Sequence, residues 1–293
     1  MQVLLDAAQS TDYLCAVMTT RFAPSPTGFL HLGHAFSALT AFHLAKKAGG
    51  VFLLRFEDID HSRVRPEYYK AIEDDLNWLG ITWPKPVMRQ LARRPAYDAA
   101  LEKLQARGVV YPCFCTRREI ETELAGLRHA PHGPDGALYP GTCRDLDDDE
   151  KARLFAEREP AWRLDHEKAA QLTGRLTFFD EICGLSTVNS GLLGDPILAR
   201  RDIGASYHLA VVVDDAAQEI THVLRGEDLL HATHLHRILQ KLLNFPEPIY
   251  HHHALICDEA GKRLAKRHDA LSLQFLRSQG KNPADIFQSL PPF

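Results

Sequence analysis

Two histidines three residues apart, His31 and His34, stand in the stretch RFAPSPTGFLHLGH (residues 21–34), between a Pro/Gly-rich turn and an apolar helical pattern. Imidazoles at this spacing both project from the first helical turn toward one ligand. The N–H groups and positive end of a helix favour phosphate at that place. Gly28 and Gly33 allow the backbone to come close to it. For an isolated H-x-x-H, a Pro/Gly turn with two incidental histidines is the plainer reading. A strand before it and a helix after it reverse the balance, because ligands of α/β sheets sit at the carboxyl ends of strands. A second turn, GKRLAKR (261–267), follows an apolar strand, and its Lys266 is placed to stabilise charge on a transferring polyphosphate. A third group begins with Cys113 and Cys115 in a C-x-C pair and returns at Cys143. The loop of about two dozen residues between CFC and YPGTC closes easily on a metal, and such thiolates suit a tetrahedral structural zinc. Three cysteines leave one ligand position open, for which His129 and His132 compete. Cys15, Cys183 and Cys257 have no such partners and are expected to be small core residues.

These residues need elements to hold them. TTRFAP (19–24) reads as a short strand closed by proline, HAFSALTAFHLAKKAGG (34–50) as a helix with a basic last turn and a glycine stop, and VFLLRFED (51–58) as a buried strand. PEYYKAIEDDLNWLG (66–80) opens with Pro66 and aligns Tyr69, Ile72, Leu76 and Leu79 on one helical face. A further helix near Tyr97–Arg107 leads to a strand VVYPCFC. This order predicts a parallel, doubly wound α/β sheet. Residues 112–190 interrupt it with short strands (AWRLD, RLTFFDE), a Gly/Pro/His-rich loop at 129–143 and the acidic run DLDDDE, read as a solvated face. The α/β pattern resumes with ASYHLAVVVDDA, strand EITHVLRG, a helix aligning Leu235, Ile238, Leu239 and Leu242, and strand YHHHALIC. The expected divisions are a disordered extension at 1–18, a first sheet half at 19–111, an insertion with the metal site at 112–190, a second half at 191–270 and a helical tail at 271–293. Met18 is a candidate start.

The 293 residues, 45% hydrophobic, suffice for a substantial core, and the formal net charge of −4 argues against a bulk polyanion binder. Nucleic-acid contact would need a local patch such as Arg89–Arg94 or Lys262–Arg267. No apolar run approaches membrane-spanning length, the first 17 residues lack the pattern of a signal peptide, and six unevenly spaced cysteines do not form a secreted disulfide framework. A cytoplasmic protein with no membrane partner is expected.

Together, PSPTGFLHLGH and RLAKR resemble the two signature motifs of class I aminoacyl-tRNA synthetases, with His31-Leu32-Gly33-His34 as the HIGH-like core and RLAKR where KMSKS belongs. The blocks RFAPSPTGFLHLGHA, LLRFEDIDHSR, ASYHLAVVVDD and THVLRGEDLL resemble the glutamyl branch, in order, over roughly residues 20–270. The resemblance implies a Rossmann-like catalytic domain with an inserted, zinc-containing, acceptor-binding-like subdomain. It implies that Arg21 and Ser25, with Phe22, Ala23 and Pro24 between them, bind the substrate glutamate. Glu57 would take its ammonium, Tyr207 would hydrogen-bond it and Arg225 would grip a carboxylate. Without that pattern Glu57 would read as a solvated strand end and Tyr207 as a core tyrosine. His31, Gly33, His34 and Lys266 would bind ATP, used with Mg²⁺, and Tyr139 would be the fourth zinc ligand beside Cys113, Cys115 and Cys143. Arg263 and Ala265 depart from the family's lysine and serine. Val211 stands where full-length glutamyl enzymes carry asparagine and their truncated relatives valine.

The sequence stops at Phe293, where glutamyl-tRNA synthetases continue into an anticodon-binding region. The expectation is therefore an enzyme without that domain, resembling the truncated glutamyl-Q tRNA(Asp) synthetase family. That resemblance implies a monomer that activates L-glutamate with ATP without tRNA, then transfers it to queuosine in the anticodon of tRNA(Asp). Competing expectations are a glutamyl-tRNA synthetase catalytic fragment charging the 3′ end of tRNA(Glu), another nucleotidyl-transferase of this fold, and a non-catalytic RNA-binding paralogue.

Overall fold

The structure, a computed structural model, describes residues 17–126, 132–134, 136–256 and 272–291. Lys266, Arg263, Ala265 and the rest of the 261–267 turn lie outside the described residues, as do His129, Cys15, Cys257 and most of the 1–18 extension.

Strand β1 (Thr19–Phe22) pairs in parallel with β2 (Val51–Phe56), with Arg21 opposite Leu53. Helix α1 (Leu32–Lys47) connects them, burying Ala35, Ala38, Leu39, Ala41 and Ala45 and ending on Lys46 and Lys47. It starts two residues earlier than the apolar pattern suggests, because His31 itself caps it. Helix α2 (Pro66–Trp78) begins on its proline and buries Ile72 and Leu76 as expected, with Leu79 buried just past its end. The two-residue β3 (Met88–Arg89) lies parallel beside β2, and α3 (Arg94–Ala106) follows.

The next strand, β4 (Val110–Cys113), does not continue the parallel sheet. It pairs antiparallel with β7 (Ala161–Leu164) in a separate sheet of order β11-β10-β7-β4, completed by β10 (Ile197–Arg200) and β11 (Gly204–Ala205). Between β4 and β7 lie α4 (Arg117–Gly126), the β5 (His132–Gly133) and β6 (Gly136–Ala137) pair, and α5 (Asp148–Glu157). The acidic run is more than a solvated face: Asp147 accepts from Glu150 N at 2.8 Å and caps α5, with the following acids in its first turn. Helix α6 (His166–Thr173) leads to β8 (Thr177–Asp180) and β9 (Gly184–Thr187), an antiparallel pair.

Helix α7 (Tyr207–Ala217), β12 (His222–Gly226), α8 (Leu230–Leu243) and β13 (Ile249–His253) form the second α/β half, in which β12, β13 and β8 run parallel. The sheets therefore interleave in sequence, and the 112–190 boundary does not separate them. β8–β9 comes before residue 190 yet joins β13, whereas β10–β11 comes after it yet joins β7. Strand partners are set by tertiary packing, which leaves no mark in local periodicity. The tail is two short helices, α9 (Leu273–Ser278) and α10 (Pro283–Ser289), where a single helix is expected from sequence.

The two parallel part-sheets meet where β1 runs beside β12. Thr221 N donates to Thr19 O at 3.0 Å, and Thr19 N to Thr221 Oγ1 at 2.8 Å. Chain order reverses at this junction, which is where an open α/β sheet presents its ligand crevice. One apolar cluster joins α1 and α2 to β1 and β2, and a second packs α3, α7 and α8. Among the described residues no helix is long and apolar enough to cross a membrane. The expected Arg89–Arg94 patch is largely committed, with Arg93 bonded to Asp214 at 2.6 Å and the Arg89 guanidinium 4.4 Å from the Tyr69 ring centre.

Candidate active site

A cavity of about 670 Å³ opens at the carboxyl ends of β1, β12 and β13. Arg21 to Ser25 form one wall, and His31, Gly33 and His34 the next. Glu57, Tyr207 and Arg225 face the same space, so all the described candidate binding residues line one cavity. Sequence reasoning did not single out Ser37, Gly226, Asp228 and His253, which line it too.

The turn at the head of α1 is held by its own histidines. His31 Nδ1 accepts from Gly33 N at 3.1 Å, and His34 Nδ1 accepts from His31 N at 3.2 Å, closing a capping box. With Nδ1 accepting, the neutral form of each ring carries its proton on Nε2. The two rings stack with centroids 3.8 Å apart. A Cβ on Gly33 would meet His31 Cε1 at 3.1 Å and Nδ1 at 3.3 Å, so glycine lets the ring lie over the turn. Leu273 N donates to Leu30 O at 2.8 Å, tying the tail to this turn.

Behind the Arg21 and Glu57 side of the cavity lies a buried charge group. Asp215 accepts from Arg21 Nε at 3.0 Å and Nη2 at 3.2 Å, and from Arg55 Nη1 at 2.8 Å. Arg21 Nη1 also donates to Leu224 O at 3.3 Å, bridging β1 to β12. Arg55 Nη2 reaches Glu57 Oε1 at 3.3 Å. Burial works against the Arg55 charge, but Asp215 and Glu57 outweigh it and hold its pKa above the usual arginine value. Burial opposes the Asp215 carboxylate as well, and both guanidinium groups overcome it and pull its pKa down. Glu57 is the exception: burial dominates and raises its pKa despite Arg55 and Arg21. A cationic ligand group beside it would therefore be welcome.

Arg225 has a different environment. Its Nε donates to His252 Nε2 at 3.0 Å, its Nη2 to Thr233 Oγ1 at 2.7 Å, and its Nη1 lies 3.4 Å from Tyr207 OH and 3.3 Å from His236 Nδ1. Burial, then Arg225 itself, pushes His252 down to about 4, and burial holds His236 well below its usual value. Both imidazoles are thus neutral acceptors toward the guanidinium.

The cysteines converge in a smaller cluster. The sulfurs of Cys113, Cys115 and Cys143 all lie within 4.8 Å of one another, and all are free thiols. Tyr139 OH stands 3.4 Å from both Cys113 Sγ and Cys115 Sγ and accepts from Cys143 N at 3.0 Å. Hydrogen bonds from Cys115 and Cys143 hold the Cys113 thiol far below its ordinary range. Three sulfurs and a phenol oxygen in one nest fit a tetrahedral thiophilic ion. His132 is exposed on β5 and is not in this group. Cys183 is not a core residue. It is exposed in the turn between β8 and β9, where its N donates to Asp180 Oδ1 at 2.9 Å.

A Rossmann-type sheet, a histidine-capped turn at its switch point and a charged crevice alongside define the catalytic unit of a class I aminoacyl-tRNA synthetase. The family model described as tRNA synthetases class I (E and Q), catalytic domain, matches residues 17–291. The chain belongs to this family, among relatives named glutamyl-Q tRNA(Asp) synthetase, and is an enzyme of the ligase type. A Glutamyl-Q tRNA(Asp) synthetase of Rhodobacter capsulatus is 52% identical over 274 residues, covering 92% of this chain and 98% of that protein. One of Nocardia farcinica is 43% identical over 270 residues, covering 92% and 82%. A solved glutamate-tRNA synthetase of Elizabethkingia anophelis superposes with a TM-score of 0.74 at 32% identity, covering 86% of this chain. The chain spans only 53% of that structure's length.

Proposed function

We propose that the enzyme activates L-glutamate with ATP to give glutamyl-adenylate and pyrophosphate without needing tRNA, then transfers the glutamyl group to queuosine in the anticodon of tRNA(Asp). The observation that carries this reading is the single cavity in which His31 and His34 face Glu57, Tyr207 and Arg225. Glutamate brings two carboxylates and an ammonium. Arg225, held by neutral acceptors, suits one carboxylate, and Glu57, at odds with its own burial, suits the ammonium. Arg21 spends three N–H groups on Asp215 and Leu224. Its remaining N–H groups and the Ser25 hydroxyl complete the substrate side.

Activation is an in-line displacement. A substrate carboxylate oxygen attacks the α-phosphorus of ATP and pyrophosphate leaves. His31 and His34 donate from Nε2 to phosphate oxygens as charge builds there. Lys266 is assigned to the leaving polyphosphate, and Mg²⁺, when bound, offsets phosphate charge. A cyclopentenediol hydroxyl of queuosine then attacks the acyl carbon and releases AMP, with no protein nucleophile required. Cys113, Cys115, Cys143 and Tyr139 would hold one structural Zn²⁺, which supplies rigidity to the nest and takes no part in the reaction.

The test offers labelled glutamate and ATP to tRNA(Asp) with and without queuosine, and to tRNA(Glu). Label only on queuosine-containing tRNA(Asp) supports the proposal, and label on the 3′ end of tRNA(Glu) refutes it. ATP–pyrophosphate exchange with glutamate alone checks the activation half.

A further inference from the structure

The polar groups behind Arg225 form an ordered chain that the proposed reaction does not itself use. Arg225 can only donate, so His252 Nε2 must accept from its Nε at 3.0 Å. The His252 proton then sits on Nδ1, which donates to Asp180 Oδ2 at 2.6 Å. Asp180 Oδ2 also accepts from His252 N at 3.1 Å, while its Oδ1 accepts from Ile182 N and Cys183 N, both at 2.9 Å. Every group facing this carboxylate is a donor, and the residue is fully buried. An ionised carboxylate is the one side chain of this size that can accept from all of them. The histidine tautomer is thereby fixed at the end of β8, one strand away from the cavity. Thr233 Oγ1 and His236 Nδ1 hold the two other nitrogens of the guanidinium.

The contrast with the neighbouring arginines gives this chain its consequence. Arg21 and Arg55 each bond directly to the Asp215 carboxylate, so their charge is compensated where it stands. Among the described residues Arg225 has hydrogen-bond partners but no carboxylate within ion-pair distance. Its direction is fixed by neutral groups, and its positive charge stays available to a ligand.

We propose that Asp180 and His252 are positioning residues for the amino-acid site: Asp180 locks the His252 tautomer, and His252 aims the Arg225 guanidinium at a substrate carboxylate without neutralising it. The carboxylate assigned to Arg225 is the one on the substrate side chain, so selectivity for an acidic side chain over its amide depends on a pair of residues that do not line the cavity. This inference rests on the proposed glutamate activation.

The test is ATP–pyrophosphate exchange by the full chain, measured with varied glutamate, glutamine and ATP. In D180N the amide nitrogen must face a donor on one side or the other. Facing His252, it forces the opposite tautomer and sets Nε2–H against the Arg225 N–H. In H252A the acceptor is gone. Both variants should raise KM for glutamate about 10- to 100-fold, the size expected for losing a hydrogen bond to a charged group. KM for ATP should stay within about twofold. The preference for glutamate over glutamine should shrink in step. H252Q, whose carboxamide oxygen can accept near the Nε2 position, should recover most of the glutamate affinity. A general packing defect would raise both KM values and would not respond to the choice of Gln or Ala. If D180N fails to fold, the H252Q and H252A comparison decides alone. Glutamate KM unchanged in H252A, or rising in parallel with ATP KM, overturns the inference while leaving glutamate activation in place. A wild-type chain that exchanges with no glutamate overturns both.

Discussion

At the scale of single residues, the site is built from groups that serve each other before they serve a ligand. Gly33 shows how narrow the tolerance is: a methyl group there presses on His31 Cε1 at 3.1 Å, within a capping box that depends on His31 Nδ1. G33A should leave stability within about 1 kcal/mol, because alanine favours the helix as much as the lost cap disfavours it. It should lower kcat/KM for ATP in the exchange assay by about tenfold, through displacement of the imidazole. Wild-type ATP kinetics in G33A would show that the His31 ring position is not used. Buried histidines also set a pH dependence. The folded pKa of His252 falls from 6.5 to about 4, and burial lowers that of His236 as well. In this window the unfolded chain binds more protons, so their contribution is complete above pH 6.5 and is lost as pH falls toward 4. His166 opposes them, because its bond to Asp195 raises its pKa and favours folding at lower pH. Denaturant titrations should show stability falling from pH 7 to pH 5, about two units. The slope should be shallower in H252Q, and an equal slope would assign the effect elsewhere.

Elements were legible where one face or one cap decides them. The alanine-rich pattern of α1, the Pro66 start and Ile72/Leu76 face of α2, and the apolar stripe of α8 are local signals that packing preserves. The HIGH-like turn and the C-x-C pair were legible for the same reason, since each is spelled out within a few consecutive residues. The interleaved sheets were not, because β4 carries the same apolar pattern in either sheet and only its partner β7 reveals which. Nor was the Asp215–Arg55 pair, 160 residues apart, although an arginine inside the apolar VFLLRF was its one visible trace. Asp195 shows what such distant pairing does for the inserted sheet. It accepts from Tyr111 OH at 2.5 Å, Arg144 Nη2 at 2.7 Å, and His166 N and Nδ1 at 3.0 and 2.7 Å. One carboxylate thus joins β4, the loop after the cysteine cluster and the start of α6. Its pKa is down at about 2, against opposition from burial. D195A takes the acceptor from Tyr111 OH and from Arg144 Nε and Nη2, leaving that guanidinium only the exposed Glu167, so urea denaturation should report a loss of about 3–5 kcal/mol. A loss under about 1 kcal/mol would mean that solvent replaces these bonds without cost.

Across the whole molecule, the candidate cavity and the cysteine nest belong to different sheets. The residues lining the cavity fall within 21–37, 224–229 and 253–256, with Glu57 and Tyr207, and none lies between β4 and β7. The nest lies on the end of β4 and within that interval, at Cys113, Cys115, Tyr139 and Cys143. Among the described residues Arg201 is a direct link from the cysteine backbone toward the cavity: its Nη2 donates to Cys113 O at 3.2 Å and Cys115 O at 2.8 Å, from the turn that feeds β11 and then Tyr207. That link passes through backbone carbonyls rather than through the sulfurs, so losing the proposed ion from the nest should loosen the inserted sheet before it disturbs Tyr207. C143S should therefore lower bound zinc from about one per chain to well below it by elemental analysis. It should also open the 113–143 segment to limited proteolysis. Exchange of ATP and pyrophosphate with glutamate should stay within about threefold of wild type, while transfer to tRNA, which needs a fixed surface outside the cavity, should fall by about tenfold or more. Parallel loss of both activities would mean that Arg201 carries the state of the nest into the amino-acid site. In that case R201A should reproduce the exchange defect with zinc still bound.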